Sequence, residues 1–136
     1  LIIVQMTKER LGVLKGKNVT VLGLAFKPDT DDIRESRSEV VIKKLLEEGA
    51  NVTAHDPEAM ANFKEIIDIK MTETIDDAIN KADCIILMTE WKQYINLDYK
   101  LIKNKMNGNV IIDGRRAFEP KAMEKEDFDY KAIGLG

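Results

Sequence analysis

The chain has 136 residues, room for one domain with its own core, and its 44% apolar and 33% charged residues exclude an intrinsically disordered chain. Lysine and arginine number 21 against 24 aspartates and glutamates, a net charge of −3, which argues against nucleic acid or an anionic membrane as a partner held by bulk charge. Any anion site must be a local cluster of cations.

One cysteine, Cys84, and one histidine, His55, allow no internal disulfide and no zinc site, so no metal is expected and a reducing, cytoplasmic setting is the default. The longest apolar run, Cys84 to Met88, falls far short of the roughly 20 residues that span a bilayer.

In chain order, Leu1 to Leu11 reads as the tail of an apolar helix closed by Gly12, which suggests a piece of something longer with a domain boundary before about Lys15. Val19 to Leu24 is a β-branched run ending in Gly23-Leu24-Ala25, a buried strand by pattern. Ser36 with Glu39 has capping-box spacing, and Val40, Val41, Leu45 and Leu46 predict a helix that stops at Gly49. Asn51 to Ala54 predicts a second strand. Asp56-Pro57 then caps a helix reaching about Asn62, with Pro57 at its first position. Ile66 to Met71 is a further strand candidate, and Thr74 to Ala82 a helix with Ile75, Ala78, Ile79 and Ala82 on one face. Cys84 to Met88, Val110 to Ile112 and Lys131 to Ile133 are short strands. The alternation predicts an α/β fold, a three-layer Rossmann-like open parallel sheet of five or six strands with helices on both faces.

Ligands of such a sheet bind outside the carboxyl ends of its strands, which singles out Gly23 to Asp32, His55-Asp56, Thr89-Glu90-Trp91 and Asp113 to Arg116. The first turn is not a dinucleotide fingerprint, because Ala25 and Pro28 replace the second and third glycines of G-x-G-x-x-G and a long loop precedes the helix. Lys27 offers a point charge and Arg115 a planar fork, a pair suited to a diphosphate; equally, Lys27 could be a solvated loop lysine and Arg115 could pair with Asp113 or Glu119. Arg34 and Arg37, among Asp29, Asp31, Asp32 and Glu35, read as a surface salt-bridge network, above all for Arg37. Cys84 reads as a buried core thiol and His55 as incidental to a helix cap, so no catalytic residue is assigned. Trp91 and Tyr94 could stack on a base or close the core.

The block Val21 to Ser36, which contains Gly23-Leu24-Ala25-Phe26-Lys27-Pro28-Asp29-Thr30-Asp31-Asp32, closely resembles the signature of one family. That family is the UDP-glucose/GDP-mannose dehydrogenases, in their carboxyl-terminal, UDP-binding domain. His55-Asp56-Pro57, Thr89-Glu90-Trp91 and Asp113-Gly114-Arg115 resemble its other strand ends, and the likeness runs from Leu14 to Gly134. Thr-Glu-Trp favours the branch that oxidises UDP-glucose.

The resemblance implies that residues 1–14 end a central inter-domain helix and that residues 15–136 form a UDP-sugar-binding domain. By the same resemblance Phe26 and Lys27 contact the substrate, Arg115 reaches its phosphates and Arg34 faces NAD, which an amino-terminal domain mainly binds. The family oxidises a primary alcohol to a carboxylate by two hydride transfers to NAD, as a homodimer, through a thioester on a cysteine in a Gly-rich segment. Cys84 does not match that motif, so this chain alone is expected to be inactive. The alternatives are the same domain of a GDP-mannose or UDP-N-acetylhexosamine dehydrogenase, or a mainly assembly and regulatory module.

Overall fold

Strands covered on both faces have no polar side to show, and Cys84–Leu87 and Val110–Asp113 are buried at every position. In the computed structural model, which describes residues 2–34 and 36–133, these are two interior strands of a six-stranded parallel sheet. Leu1, Glu35 and the Gly134 at which the family likeness ends lie outside the described residues.

The elements are α1 (Ile2–Leu11), β1 (Asn18–Leu22), α2 (Ser38–Glu47), β2 (Asn51–His55), α3 (Met60–Lys64), β3 (Lys70–Met71) and α4 (Ile75–Ile79). They continue with β4 (Cys84–Leu87), α5 (Lys92–Ile95), α6 (Tyr99–Lys105), β5 (Val110–Asp113), α7 (Pro120–Lys125) and β6 (Asp129–Ala132). The strand order is β3-β2-β1-β4-β5-β6, the Rossmann-like sheet expected, with six strands. Register pairs Leu22 with His55 on one side and with Leu87 on the other, and Leu87 with Asp113, so four strands end at one level.

From β1 the chain winds outward through α2 to β2 and β3, and from β4 it winds the other way through α5 and α6 to β5. Right-handed crossovers then put α2 and α6 on opposite faces. The packing agrees: α1 lies against α2, and α4 against α6.

The boundaries differ from the sequence pattern where local hydrogen bonding overrides it. The second helix begins at Ser38, not Ser36, because the Ser36 hydroxyl accepts from the Ser38 amide only two residues on. Ser38 is buried, and its own hydroxyl donates to the Gly23 carbonyl at 2.8 Å, fastening α2 to the end of β1. The buried stripe is Val41, Ile42 and Leu45, while Val40 and Leu46 are exposed. The third helix starts at Met60, because the Asp56-Pro57 segment is a turn before it. Thr74 caps α4 by accepting from the Asp77 amide. Three helices that the pattern did not mark, α5, α6 and α7, each bury one residue, Tyr94, Ile102 and Met123, too few to make a periodic stripe.

Gly23 stands at the turn after β1 with φ +104°, and a Cβ there would lie 2.5 Å from the Thr89 backbone nitrogen. Both the conformation and the close approach require glycine. Gly23→Ala is expected to destabilise the fold by about 2–4 kcal/mol in urea unfolding, since backbone strain and overpacking add. A variant within 0.5 kcal/mol of the parent, on the order of an ordinary surface substitution, would contradict the tight Gly23–Thr89 approach.

Candidate functional site

β1 and β4 are neighbours whose outgoing connections leave in opposite directions, so the crevice above their carboxyl ends is the topological switch point of the sheet. What stands there depends on two buried aspartates. Asp56, at the end of β2, is fully buried. One of its oxygens accepts from the Leu24 and Ala25 amides at 2.7 and 3.0 Å and from the Trp91 indole at 3.2 Å. The other accepts from the Glu58 and Ala59 amides, both at 2.8 Å. One carboxyl group thus joins the loops after β1, β2 and β4.

Asp113, at the end of β5 and equally buried, does the same on the other side. It accepts from the Arg115, Ala117 and Phe118 amides at 3.0, 2.9 and 2.9 Å and from the Tyr130 hydroxyl at 2.7 Å. Burial and that bond to a carboxylate push the Tyr130 phenol well above its ordinary range. The Thr89 hydroxyl donates to the Ala25 carbonyl at 2.6 Å. Gly114 passes so close to β4 that a Cβ would lie 2.8 Å from the Leu87 carbonyl oxygen.

Between these fixed loops lies a cleft of about 130 Å³ lined by Ala25, Phe26, Ser36, Arg37, Met88, Gly114 and Arg115, together with Ile3 and Ile133. A pocket that encloses a whole small ligand measures roughly 300–1,000 Å³, so this one seats part of a ligand.

Phe26 and Arg115 both line the cleft. The Arg115 guanidinium, for which Asp113 or Glu119 was a possible partner, instead pairs with Glu90: Nε lies 3.0 Å from Oε2, and a terminal nitrogen lies 3.0 Å from the same oxygen. Of Arg115, Asp113 takes only the backbone amide. Glu90 Oε1 is buried without a hydrogen-bond partner among the described residues. Lys27 is exposed, lies 5.4 Å from the centroid of the Phe26 ring, and does not line the cleft. Arg34 is 88% exposed and chelates Asp32 at 2.8 Å in a separate shallow depression with Asn62 and Glu65. That pair holds the Asp32 carboxyl below its usual value. The surface network expected around Arg34 therefore forms with Asp32, but Arg37 is not in it and instead lines the cleft.

The remaining candidates are structural. Trp91 and Tyr94 are buried in the core, which leaves neither ring free to stack on a base. Cys84 is fully buried, and burial pushes its thiol far above the ordinary range, so it is no nucleophile. His55 is buried with Nδ1 2.8 Å from the Tyr94 hydroxyl, which donates to the His55 carbonyl at 2.9 Å. Burial holds the His55 pKa below its ordinary value and outweighs the opposing Glu73 backbone and Asp56 charge.

The turn after β1 does not fit a dinucleotide. Thr89 fills the space beside Gly23, and α2 begins only at Ser38, beyond the acid-rich Asp29 to Asp32 segment. Among the described residues no group of three or more acidic, histidine or cysteine side chains could hold a metal, and no helix is long and apolar enough to cross a membrane.

An open parallel sheet with a cation-lined cleft at its switch point defines a nucleotide-binding α/β domain. Residues 20–120 match the UDP binding domain of the UDP-glucose/GDP-mannose dehydrogenase family, and the chain belongs to that family. It is 40% identical over 121 residues to a UDP-glucose 6-dehydrogenase of Haloferax volcanii, a match that covers 88% of this chain and 27% of the relative. Among solved structures, a UDP-glucose dehydrogenase from Pyrobaculum islandicum superposes with a TM-score of 0.82 at 38% identity, covering 98% of this chain and 29% of that one. An NDP-N-acetyl-D-galactosaminuronic acid dehydrogenase from Methanosarcina mazei superposes at 0.85 with 31% identity, covering 98% and 28%. The chain thus spans under a third of the length of these relatives.

Two outcomes follow from the buried groups. Asp56→Ala strands five N–H donors and should cost about 3–5 kcal/mol of stability by urea unfolding; a loss below about 1 kcal/mol would mean that Asp56 does not hold the three loops. His55 binds a proton more readily unfolded than folded, so its contribution is complete above the unfolded pKa, near 6.5, and is lost as pH falls through the lower folded value. Stability measured from pH 8 to pH 5 should therefore decline more steeply in the parent than in His55→Gln; equal slopes would contradict a buried neutral imidazole.

Proposed function

We propose that this chain holds the nucleotide end of a UDP-sugar for an NAD-dependent UDP-glucose 6-dehydrogenase, which converts UDP-glucose to UDP-glucuronate by two hydride transfers. The observation that carries this reading is that Phe26 and Arg115 both line the switch-point cleft of a domain in this family. Arg115 offers a phosphate a charged fork, already oriented by Glu90. Phe26 provides an apolar wall, and Lys27, exposed beside it, supplies a second charge at the rim. Binding energy gained at this end of the substrate, remote from the reacting carbon, serves to orient that carbon.

In this reading residues 1–14 end a central helix joining this domain to an amino-terminal one that mainly holds NAD. Arg34, exposed away from the cleft, faces the cofactor across the domain boundary, and the whole enzyme is a cytoplasmic homodimer. The buried, unreactive Cys84 fits a domain that binds substrate and leaves oxidation to residues elsewhere. A second reading has one observation in its favour, the TM-score of 0.85 to a dehydrogenase named for an N-acetylated uronic acid. It changes the sugar and keeps the nucleotide end. Kinetics of the whole enzyme with UDP-glucose beside an N-acetylated UDP-hexosamine separate the two.

Calorimetric titration with UDP should show saturable binding that Arg115→Ala weakens about tenfold or more, the loss of one charge-assisted contact. Unchanged affinity would overturn the assignment. The 136-residue chain should give no NADH absorbance with UDP-glucose and NAD at any pH; turnover would show that it contains its own oxidising machinery.

A further inference from the structure

The net charge of the cleft does not come from Arg115. That guanidinium is paired with Glu90, so the two together are close to neutral and would attract an anion only weakly. Lys27 lies outside the lining. The charge left over is Arg37, which lines the same cleft together with Ser36, Phe26, Gly114 and Arg115.

The surroundings of Arg37 show why it stays uncommitted. It precedes the first residue of α2 with helical backbone angles, and its carbonyl accepts from the Val41 amide, but its side chain does not cap the helix. Three described acids of this region are engaged elsewhere: Asp32 with Arg34 at 2.8 Å, Glu39 with Lys43 at 2.9 Å, and Glu90 with Arg115 at 3.0 Å. The Arg37 side chain forms no hydrogen bond or ion pair with a described residue. An exposed arginine that no described carboxylate claims, lining a cleft beside a second arginine, leaves its fork to solvent while the cleft is empty. An anion with several acceptor oxygens can bridge the two forks.

We infer that Arg37 is a phosphate-binding residue of this cleft, which acts with Arg115 on the two phosphates of a nucleoside diphosphate and sets the preference for diphosphate over monophosphate or uncharged nucleoside. This rests on the reading of the cleft as the site for the nucleotide end of a UDP-sugar. It also assigns the second cation within the cleft to α2, and leaves Lys27 at the rim.

The test is calorimetric titration of the full chain and of its Arg37→Ala, Arg37→Lys and Arg115→Ala variants with UDP, UMP and uridine, beside a thermal melt of each. Arg37→Ala should weaken UDP about tenfold, UMP less and uridine not at all, with an unchanged melt because the side chain supports nothing in the fold. Arg37→Lys should recover part of the loss, since the charge returns without the fork. If Arg37→Ala binds UDP like the parent while Arg115→Ala does not, the inference fails and the reading of the site stands. A loss equal for UDP and uridine would make Arg37 structural, and also overturns the inference. If the parent binds no UDP, the reading of the site falls, and the inference with it.

Discussion

The burial of one carboxyl group, Asp56, sets the form of the ligand-facing edge. A fully buried acid is costly unless its oxygens are satisfied, and here five N–H donors from the loops after β1, β2 and β4 converge on it. The constraint works in both directions. The loops bring their amides to the carboxyl group, and the group holds the loops where Phe26 and Glu90 are needed. Trp91, which looks from sequence like a surface for a base, is used up as one of the donors.

Asp113 repeats the arrangement at the end of β5, fixing the turn that carries Arg115 and drawing in Tyr130 from β6. The cleft lies between the two hubs. Its walls are therefore formed before any ligand arrives, and its chemistry is decided by which cations the hubs and α2 leave facing it. The ion pairs sort those cations. Arg34 goes to Asp32 and Arg115 to Glu90, while Arg37 keeps its charge for the cleft. A chain with a net charge of −3 can bind an anion in this way, through local placement.

Much of the fold was legible because its central strands are short apolar runs punctuated by glycine or aspartate, and only a doubly covered parallel sheet buries such runs on both sides. Helices α5, α6 and α7 were not, since a helix with one buried residue leaves no periodic trace. The start of α2 was misplaced by a real signal, the Ser36–Glu39 spacing, which lost to a shorter serine turn and to the tether from Ser38 to Gly23. At the site, the strand-end rule picked out Phe26 and Arg115 by position. It could not choose among partners distant in sequence: the 25-residue step from Glu90 to Arg115 appears only once β4 and β5 are adjacent. Spacing puts Arg37 in a surface network for the same reason, because it shows which charges are near in sequence and not which carboxylates are already taken.

On the proposed reading, a nucleoside diphosphate binds at the carboxyl edge at the switch point, preformed around Asp56 and Asp113. Amide nitrogen–proton NMR of the chain during addition of UDP tests it most directly, since each loop reports separately. Saturable shifts are expected at Leu24 to Phe26, Ser36 to Ser38, Met88 and Gly114-Arg115, with Asn18, Asn51 and Lys81 at the opposite edge of the sheet unmoved. Shifts concentrated at that opposite edge, or none at saturating UDP, would contradict it.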